Sequence, residues 1–507
     1  MEPLVQGFAQ IFALETMAYL TAGVGLGVVL GAIPGLTATM AIAIVIPFTF
    51  TMPPVASMLM LLGAYKGGIF GGSIAAILVA APGTPASAAT VQDGYALARK
   101  GQSEKALKVA LVSSVIADLA TDVLLILLAV QLARIALAFG AVEYMIVAIL
   151  GLTVVAAVSG RSLWKGVASA ILGAAVALIG LDPMSGVPRF SFGVIDFYGG
   201  IELVPMLIGL LTLSEILVQI ESGHGAGIRA LPKAATRDDR RITGKDARLI
   251  ARPIALGAVI GGLVGIIPGL GPTLGAFLGY DAAWRTSRRK EEFGKGSLEG
   301  IAGAEAGNNA VSGANLIPLL GLGIPGDTMA AILVGAFLIH GLSPGPLIFK
   351  EAPDVVYGLF AGLIVANLVL FVVARAMLPA FSRVARTPTR FLMPVVLMLC
   401  IVGAYGLNQS MFDVWVMLVF GLIGYVMTKL GFPRAPLLIG FILAPLMEEN
   451  LRRALRLSDG DFSVFVGSPL AIGLWIFVAV SVALVLRQRG ALRAEEGEVA
   501  TETGRAS

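Results

Sequence analysis

Apolar residues in this chain neither alternate nor keep to one face of a helix; they come in long runs separated by short polar stretches. Leu124 to Ala138, Tyr144 to Val158, Val204 to Ile220, Val355 to Ala374 and Ala471 to Leu486 each carry at most one charge. Such a run suits a helix that crosses ~30 Å of hydrocarbon. Runs of this kind recur from end to end and predict an all-α polytopic membrane protein of roughly ten to thirteen spans. A hydrophobic content of 57%, a charged content of 13% and a mean hydropathy of +0.90 agree with that reading.

The longest polar stretch before the C-terminus, 221–252, divides the chain almost in two, and the halves resemble each other. Gly27-x-x-x-Gly31-x-Ile33-Pro34-Gly35-Leu36 returns 234 residues later as Gly261-x-x-x-Gly265-x-Ile267-Pro268-Gly269-Leu270. Gly83-Thr84-Pro85 returns 240 residues later as Gly323-Ile324-Pro325. The expected organisation is a first membrane repeat over 1–220, a basic linker over 221–252, a second repeat over 253–486 and a disordered polar tail over 487–507. The chain opens Met1-Glu2-Pro3, without the basic segment of a cleaved leader, so the first helix is expected to be retained.

Charge then suggests an orientation for each half. Between its two motifs the first copy is uncharged from Glu15 to Lys66, whereas the second carries Arg285, Arg288, Arg289, Lys290 and Lys295. Beyond the second motif the pattern swaps: Arg99, Lys100, Lys105 and Lys108 follow the first copy, and Lys350 with Glu351 and Asp354 follows the second. By the positive-inside rule, equivalent loops lie on opposite sides, which is the signature of inverted-topology repeats with broken or re-entrant helices meeting at the midplane. Arg229, Lys233, Arg237, Arg240, Arg241 and Lys245 place the linker in the cytoplasm. The net charge of +4 is explained by these loops and not by nucleic-acid binding.

Four Pro/Gly clusters interrupt apolar segments at membrane depth, where freed backbone groups must find partners in protein or water. They are Ile33-Pro34-Gly35-Leu36-Thr37, Ala81-Pro82-Gly83-Thr84-Pro85-Ala86-Ser87, Ile267-Pro268-Gly269-Leu270-Gly271-Pro272-Thr273 and Leu322-Gly323-Ile324-Pro325-Gly326-Asp327-Thr328. Each suits a half-helix start: Pro is tolerated at N1, Gly lets a ligand approach, and Ser or Thr caps or coordinates. An anion there meets free N–H groups and the positive helix end. Pro34, Gly35, Thr37, Gly83, Thr84, Pro85, Ser87, Gly269, Thr273, Gly323, Pro325, Gly326 and Thr328 are therefore the expected anion-binding positions, together with Ser73 and Lys66.

Gly67 to Ser73, aligned at 240 residues with Gly307-Asn308-Asn309-Ala310-Val311-Ser312-Gly313, supplies neutral oxygens of the kind that hold a desolvated Na⁺ at an unwound helix. Glu305, Asn308, Asn309 and Asp327 are the expected coupling-ion positions, with Na⁺ at Asn308 and Asn309. Gly27/Gly31 and Gly261/Gly265 read as close helix packing. Intramembrane charges are functional hypotheses by default. Lys66 either binds a substrate carboxylate, or snorkels or neutralises a nearby acid. Asp118 and Asp122, one turn apart, form a proton relay, a cation site or a hydrogen-bonded polar seam. Glu305 orients the Asn pair, couples an ion or pairs with a basic residue. Asp327 attracts a cation or caps a helix.

These motifs closely resemble the large membrane subunit of the tripartite tricarboxylate transporters, over residues ~10 to ~485 by motif placement. Also similar are Tyr65 to Ser73, Asp93-Gly94-Tyr95, Phe139-Gly140 with Glu143-Tyr144, and Gly186-Val187-Pro188-Arg189-Phe190. So are Phe293-Gly294-Lys295-Gly296, Glu305 to Ala310, and His340-Gly341 with Pro344-Gly345-Pro346. The resemblance implies uptake of small organic anions across the bacterial inner membrane, driven by an ion gradient, with a small membrane subunit and a periplasmic binding protein as partners. Lys66, Asp118, Asp122 and Asp327 depart from the family pattern. They sustain a rival reading, a cation/proton antiporter using Asp118, Asp122 and Asp327. An enzyme is not expected: the lone Cys400 and the distant His224 and His340 offer neither a nucleophile with its base nor a metal cluster, and exclude an internal disulfide. No cofactor is expected beyond Na⁺ or H⁺ as coupling ion.

Overall fold

The computed structural model describes residue 7 and residues 9–158, 162–222, 232, 236–381 and 389–483. The expected tail, 487–507, and residues 223–231 and 233–235 of the expected linker lie outside them. The chain forms two compact units, one of 1–137 with 201–429 and the other of 138–200 with 430–507.

The first unit begins with α1 (Leu14–Gly31), α2 (Ala38–Thr49), α3 (Pro54–Val79), α4 (Ala88–Leu97) and α5 (Ser103–Ala136). In the second unit lie α6 (Ala141–Val158), α7 (Leu163–Ala177) and a two-residue hairpin, β1 (Gly180–Leu181) with β2 (Pro188–Arg189). The chain then returns to the first unit with α8 (Leu203–Glu221), α9 (Gly244–Ile266), α10 (Gly271–Thr286), α11 (Leu298–Ala314), α12 (Leu316–Leu322), α13 (Thr328–Ile339), α14 (Pro353–Met377), α15 (Thr389–Asn408) and α16 (Met411–Lys429). The second unit closes with α17 (Arg434–Leu457) and α18 (Pro469–Ala483). Seven helices among the described residues are long and apolar enough to cross a membrane, and six shorter apolar helices of 10–17 residues accompany them.

All four Pro/Gly clusters interrupt helices. The chain leaves helix between α1 and α2, between α3 and α4, between α9 and α10 and between α12 and α13. Thr37 caps α2 by accepting from the Met40 N–H, and Asp327 caps α13 by accepting from the Ala330 N–H. Pro272 occupies the first turn of α10, where its missing N–H costs nothing.

The stretches Gly67 to Ser73 and Gly307 to Gly313, in contrast, do not unwind; α3 and α11 run straight through them. The reason lies in the glycines. A methyl on Gly27 would sit 2.4 Å from the Ala64 carbonyl oxygen, and one on Gly67 2.4 Å from that of Val24, so α1 and α3 touch backbone to backbone. In the second half a methyl on Gly261 would lie 2.5 Å from the Gly307 carbonyl oxygen, and one on Gly307 2.1 Å from that of Gly275. Small residues here allow close packing of intact helices, as they do where lipid supplies no hydrophobic drive.

The polar loops gather in pairs. Lys100 donates to the Lys295 carbonyl (2.6 Å), Gln102 to Asp239 (2.8 Å) and Lys108 to the Arg240 carbonyl (2.6 Å), while Lys105 pairs with Asp246 at 2.8 Å. The basic α4–α5 turn, the basic α10–α11 loop and the described linker residues thus share one end of the first unit. Ser57, just after the uncharged α2–α3 turn, meets His340 at the end of α13 (2.6 Å).

In the second unit, Asp182 accepts from Arg452 (2.7 Å) and from the backbone N–H groups of Met184 and Ser185. Arg189 donates to Glu448 at 2.6 Å, and Glu448 also pairs with Arg452. The Arg452 bond and the two N–H groups hold the Asp182 carboxyl below the usual carboxylate range.

Replacing Gly307 with Ala should destabilise the protein by about 1–3 kcal/mol, because the neighbouring backbone cannot yield. Gly25, with nothing within 4 Å of an added methyl, should tolerate Ala or gain up to about 1 kcal/mol of helix propensity. Thermal unfolding of the two variants in the same detergent separates these outcomes.

Candidate functional site

Charged and amide side chains from both halves converge inside the first unit. Lys66 projects from α3, and Asp118 and Asp122, one turn apart on α5, face it. Its ammonium donates to Asp118 Oδ2 at 2.5 Å and to Asp122 Oδ1 and Oδ2 at 3.1 and 3.0 Å. All three residues are at most 2% exposed. Asp118 Oδ1 meets the Ser312 hydroxyl of α11 at 2.5 Å, and Asp122 Oδ2 accepts from Asn367 of α14 at 2.7 Å. The Lys66 ammonium is thus engaged by two acids of the protein.

One turn earlier on α5, Ser114 lies between Asn309 and Glu305. Asn309 Nδ2 donates to the Ser114 hydroxyl (2.8 Å), and that hydroxyl donates to Glu305 Oε2 (3.2 Å). Glu305 Oε1 accepts from Thr90 of α4. The basic partner weighed for Glu305 is replaced by hydroxyls and an amide. Asn308 differs from its neighbour: it is 1% exposed, and neither of its side-chain polar atoms has a hydrogen-bond partner. Such orphaned groups are rare in folded proteins, because a buried amide gives up its water for nothing unless a partner takes its place. Among the described residues no three His, Cys, Asp or Glu side chains converge as a metal site.

The helix breaks of each half also meet. The Gly83 N–H donates to the Gly72 carbonyl, and a methyl on Gly83 would lie 2.5 Å from the Gly31 carbonyl oxygen, so the first two breaks are adjacent. In the second half the Gly269 N–H donates to the Gly326 carbonyl (2.6 Å). Thr84 and Ser87 bond each other across the turn that starts α4. Asn315 donates to the Tyr65 hydroxyl at 3.3 Å, beside Asp327. Gly35 is held by Gln219 of α8. No hydrogen bond brings Pro34, Pro85, Thr273, Pro325 or Thr328 into the charged network.

Contacts give the sense in which the helices run. Tyr65, near the middle of α3, meets Asn315 just past the end of α11. Further along α3, Ile77 packs on Gly94 of α4, while Thr90 and Asp93 of that helix bond Glu305 and the backbone N–H of Ser297 at the start of α11. The later part of α3 therefore faces the earlier part of α11, and the two helices run antiparallel.

Sequence reading missed Tyr65, Thr90, Ser114, Asn315 and Asn367 as partners, and took Ser312 as a source of neutral oxygen, not as the partner of Asp118. For Asn367 a signal existed, a lone amide in the apolar run Val355 to Ala374. Asp93, quoted only within a motif, accepts from the Gly296 and Ser297 N–H groups at 2.8 Å each and from Tyr280 at 2.9 Å, fastening α4 to the start of α11.

Long apolar helices around a buried charged cluster define a multi-pass membrane protein. The model of the family described as "Tripartite tricarboxylate transporter TctA family" matches residues 17–439, and the chain belongs to that family. It is 36% identical over 484 residues, 95% of this chain and 94% of the relative, to an Agrobacterium vitis protein described as "Uncharacterized 52.8 kDa protein in TAR-I ttuC' 3'region". A second protein of that organism, "Uncharacterized protein in TAR-II ttuC' 3'region", is 39% identical over 207 residues, 41% of this chain and 86% of the relative. No solved structure matches the chain.

Replacing Lys66 with Met leaves two buried carboxyl groups facing each other without their cation and should cost about 3–5 kcal/mol of stability. Adding Asp118→Asn and Asp122→Asn to that variant should recover most of the loss, measurable as the thermal midpoint of the purified protein.

Proposed function

We propose that this chain carries small organic anions, of the tricarboxylate or dicarboxylate class, across the bacterial inner membrane by alternating access, driven by an Na⁺ or H⁺ gradient. A small membrane subunit and a periplasmic binding protein complete the system and deliver the substrate. Membership of the transporter family supports the class, and the antiparallel course of α3 and α11 is the observation that carries the mechanism. These helices occupy equivalent places in the two halves, since α1 to α5 align with α9 to α14 at the two motif offsets. Contacts exchange along with the halves: α3 packs on α14 as α11 packs on α5, and α3 touches α13 as α11 touches α4. That reciprocity supports an inverted repeat, and the three basic segments gathered at one end support a cytoplasmic face there.

In this reading the substrate carboxylates sit at the helix starts that follow the paired breaks, among Thr37, Gly83, Thr84, Ser87, Gly269, Gly326 and Thr328. Backbone N–H groups and the helix dipole hold anionic oxygens without a bound cation. The coupling ion sits at Glu305, Asn308, Asn309 and Asp327. The unpartnered Asn308 side chain supports an occupant there, and Na⁺ suits its amide oxygen. Asp327, as cap of α13, takes on both of the roles weighed for it.

The test is uptake of a panel of radiolabelled carboxylates into proteoliposomes holding this chain, its small subunit and its binding protein, under imposed Na⁺ or H⁺ gradients. Uptake that needs the binding protein and collapses with one gradient is expected. Cation flux from this chain alone, with no carboxylate uptake, would instead establish the antiporter. Orientation has its own check: in a Cys400→Ser background, Arg288→Cys should be labelled only from the cytoplasmic side, and labelling only from the periplasm would reverse the assignment.

A further inference from the structure

The hydrogen count around Lys66 has one gap. The ammonium has three N–H bonds and three carboxylate oxygens to receive them, Asp118 Oδ2 and both oxygens of Asp122. Asn367 supplies a fourth donor to Asp122 Oδ2. The remaining oxygen, Asp118 Oδ1, faces only the Ser312 hydroxyl, which has one hydrogen and two acceptors in reach: Asp118 Oδ1 at 2.5 Å and the Asn309 carbonyl at 2.8 Å. Charge has the same gap. One ammonium faces two carboxylates, leaving a net negative charge among side chains at most 2% exposed. No other Lys, Arg or His bonds either carboxylate among the described residues. Glu305 is reached only through Ser114 and Asn309 of the adjoining cluster, Asp327 lies beyond Tyr65, α14 contributes the neutral Asn367, and α9 approaches α5 through Gly262 beside Thr121.

We propose that Asp118 is a proton-binding site, and that its proton lies on Oδ1 and is donated to Ser312, which donates in turn to the Asn309 carbonyl. Each of the two close oxygen contacts of Ser312 then holds a hydrogen without any atom moving, and the triad is neutral: one ammonium, one carboxylate and one carboxylic acid. Placing the proton on Asp122 does not work, because both its oxygens already face N–H donors. The Oδ1 of Asn367, fully buried and without a partner, marks a second unfilled acceptor at the same cluster. Binding is simple addition: water or hydronium from one side gives up a proton, an O–H bond forms on Asp118, and nothing else breaks. Release restores the buried charge, which resists burial and so favours a state in which α3 and α5 expose the triad. The coupling of this proton to transport rests on the transport reading above; the protonation does not.

The test is infrared difference spectroscopy of the full chain in lipid, between acid and alkaline pH, in H₂O and D₂O. We expect a carboxylic-acid C=O band, shifted in D₂O and lost on raising the pH. The band should be absent from Asp118→Asn. It should also be absent from Asp122→Asn, where one carboxylate suffices for one ammonium. It should grow in Lys66→Met, where two carboxylates face no cation, and persist in Glu305→Gln and Asp327→Asn. A purely structural ion pair gives no such band, and its absence from the parent chain, or its persistence in Asp118→Asn, overturns the proposal. If Asp118→Asn fails to fold, Asp118→Glu decides: a displaced band supports the site and an unchanged band refutes it. Proteoliposome uptake driven by an acid-outside gradient should be lost in Asp118→Asn. An infrared result as expected, with no carboxylate uptake by the parent system, leaves the proton site standing and removes the transport reading.

Discussion

A single ammonium placed between two carboxyl groups, out of reach of water, fixes how the first unit is assembled. Lys66 cannot lose Asp118 or Asp122 without stranding a charge in a medium that does not solvate it. The pairing therefore sets the register of α3 against α5, and Ser312 and Asn367 extend it to α11 and α14. Four helices drawn from both halves meet at this point. The backbone-to-backbone contacts at Gly27, Gly67, Gly261 and Gly307 serve the same arrangement by bringing helix axes close enough for short side chains to reach one another.

Near this centre, among the described residues, four Pro/Gly clusters break helices, and the two breaks of each half touch. Helices that end and restart inside the membrane leave N–H groups free, and those groups have to be capped, solvated or used. Thr37 and Asp327 cap theirs, whereas glycines at positive φ, among them Gly35 (90°), Gly269 (90°) and Gly323 (76°), turn the backbone where a side chain would be strained. A site made of backbone dipoles recognises a carboxylate without reading the rest of the molecule, so geometry of this kind fits a class of substrates and leaves the choice among them to surrounding side chains.

Much of this was legible in the sequence, because it depends on local rules. Apolar runs gave the spans, and Pro/Gly clusters gave all four breaks. Repeated motifs at 234 and 240 residues pointed to a duplication. Glycine content misled at Gly67 to Ser73, where an unwound helix was expected and close packing keeps the helix intact. Partnerships at long range were not legible: Lys66 lies 52 residues from Asp118, and Thr90 lies 215 from Glu305. No periodicity encodes such pairs, and a lone hydroxyl in an apolar helix looks alike whether it bonds its own backbone or a carboxylate on another helix.

Alternating access around the paired breaks is the central claim, and it is tested most directly by single cysteines at equivalent positions, Thr84→Cys and Ile324→Cys, in a Cys400→Ser background. The quantity to measure is their rate of modification by a membrane-impermeant thiol reagent from each side, with the ion gradient imposed in either direction. The account predicts that both positions change together from one accessible side to the other when the gradient is reversed. Modification confined to one side under every gradient, or of both sides at once as in an open pore, would contradict it.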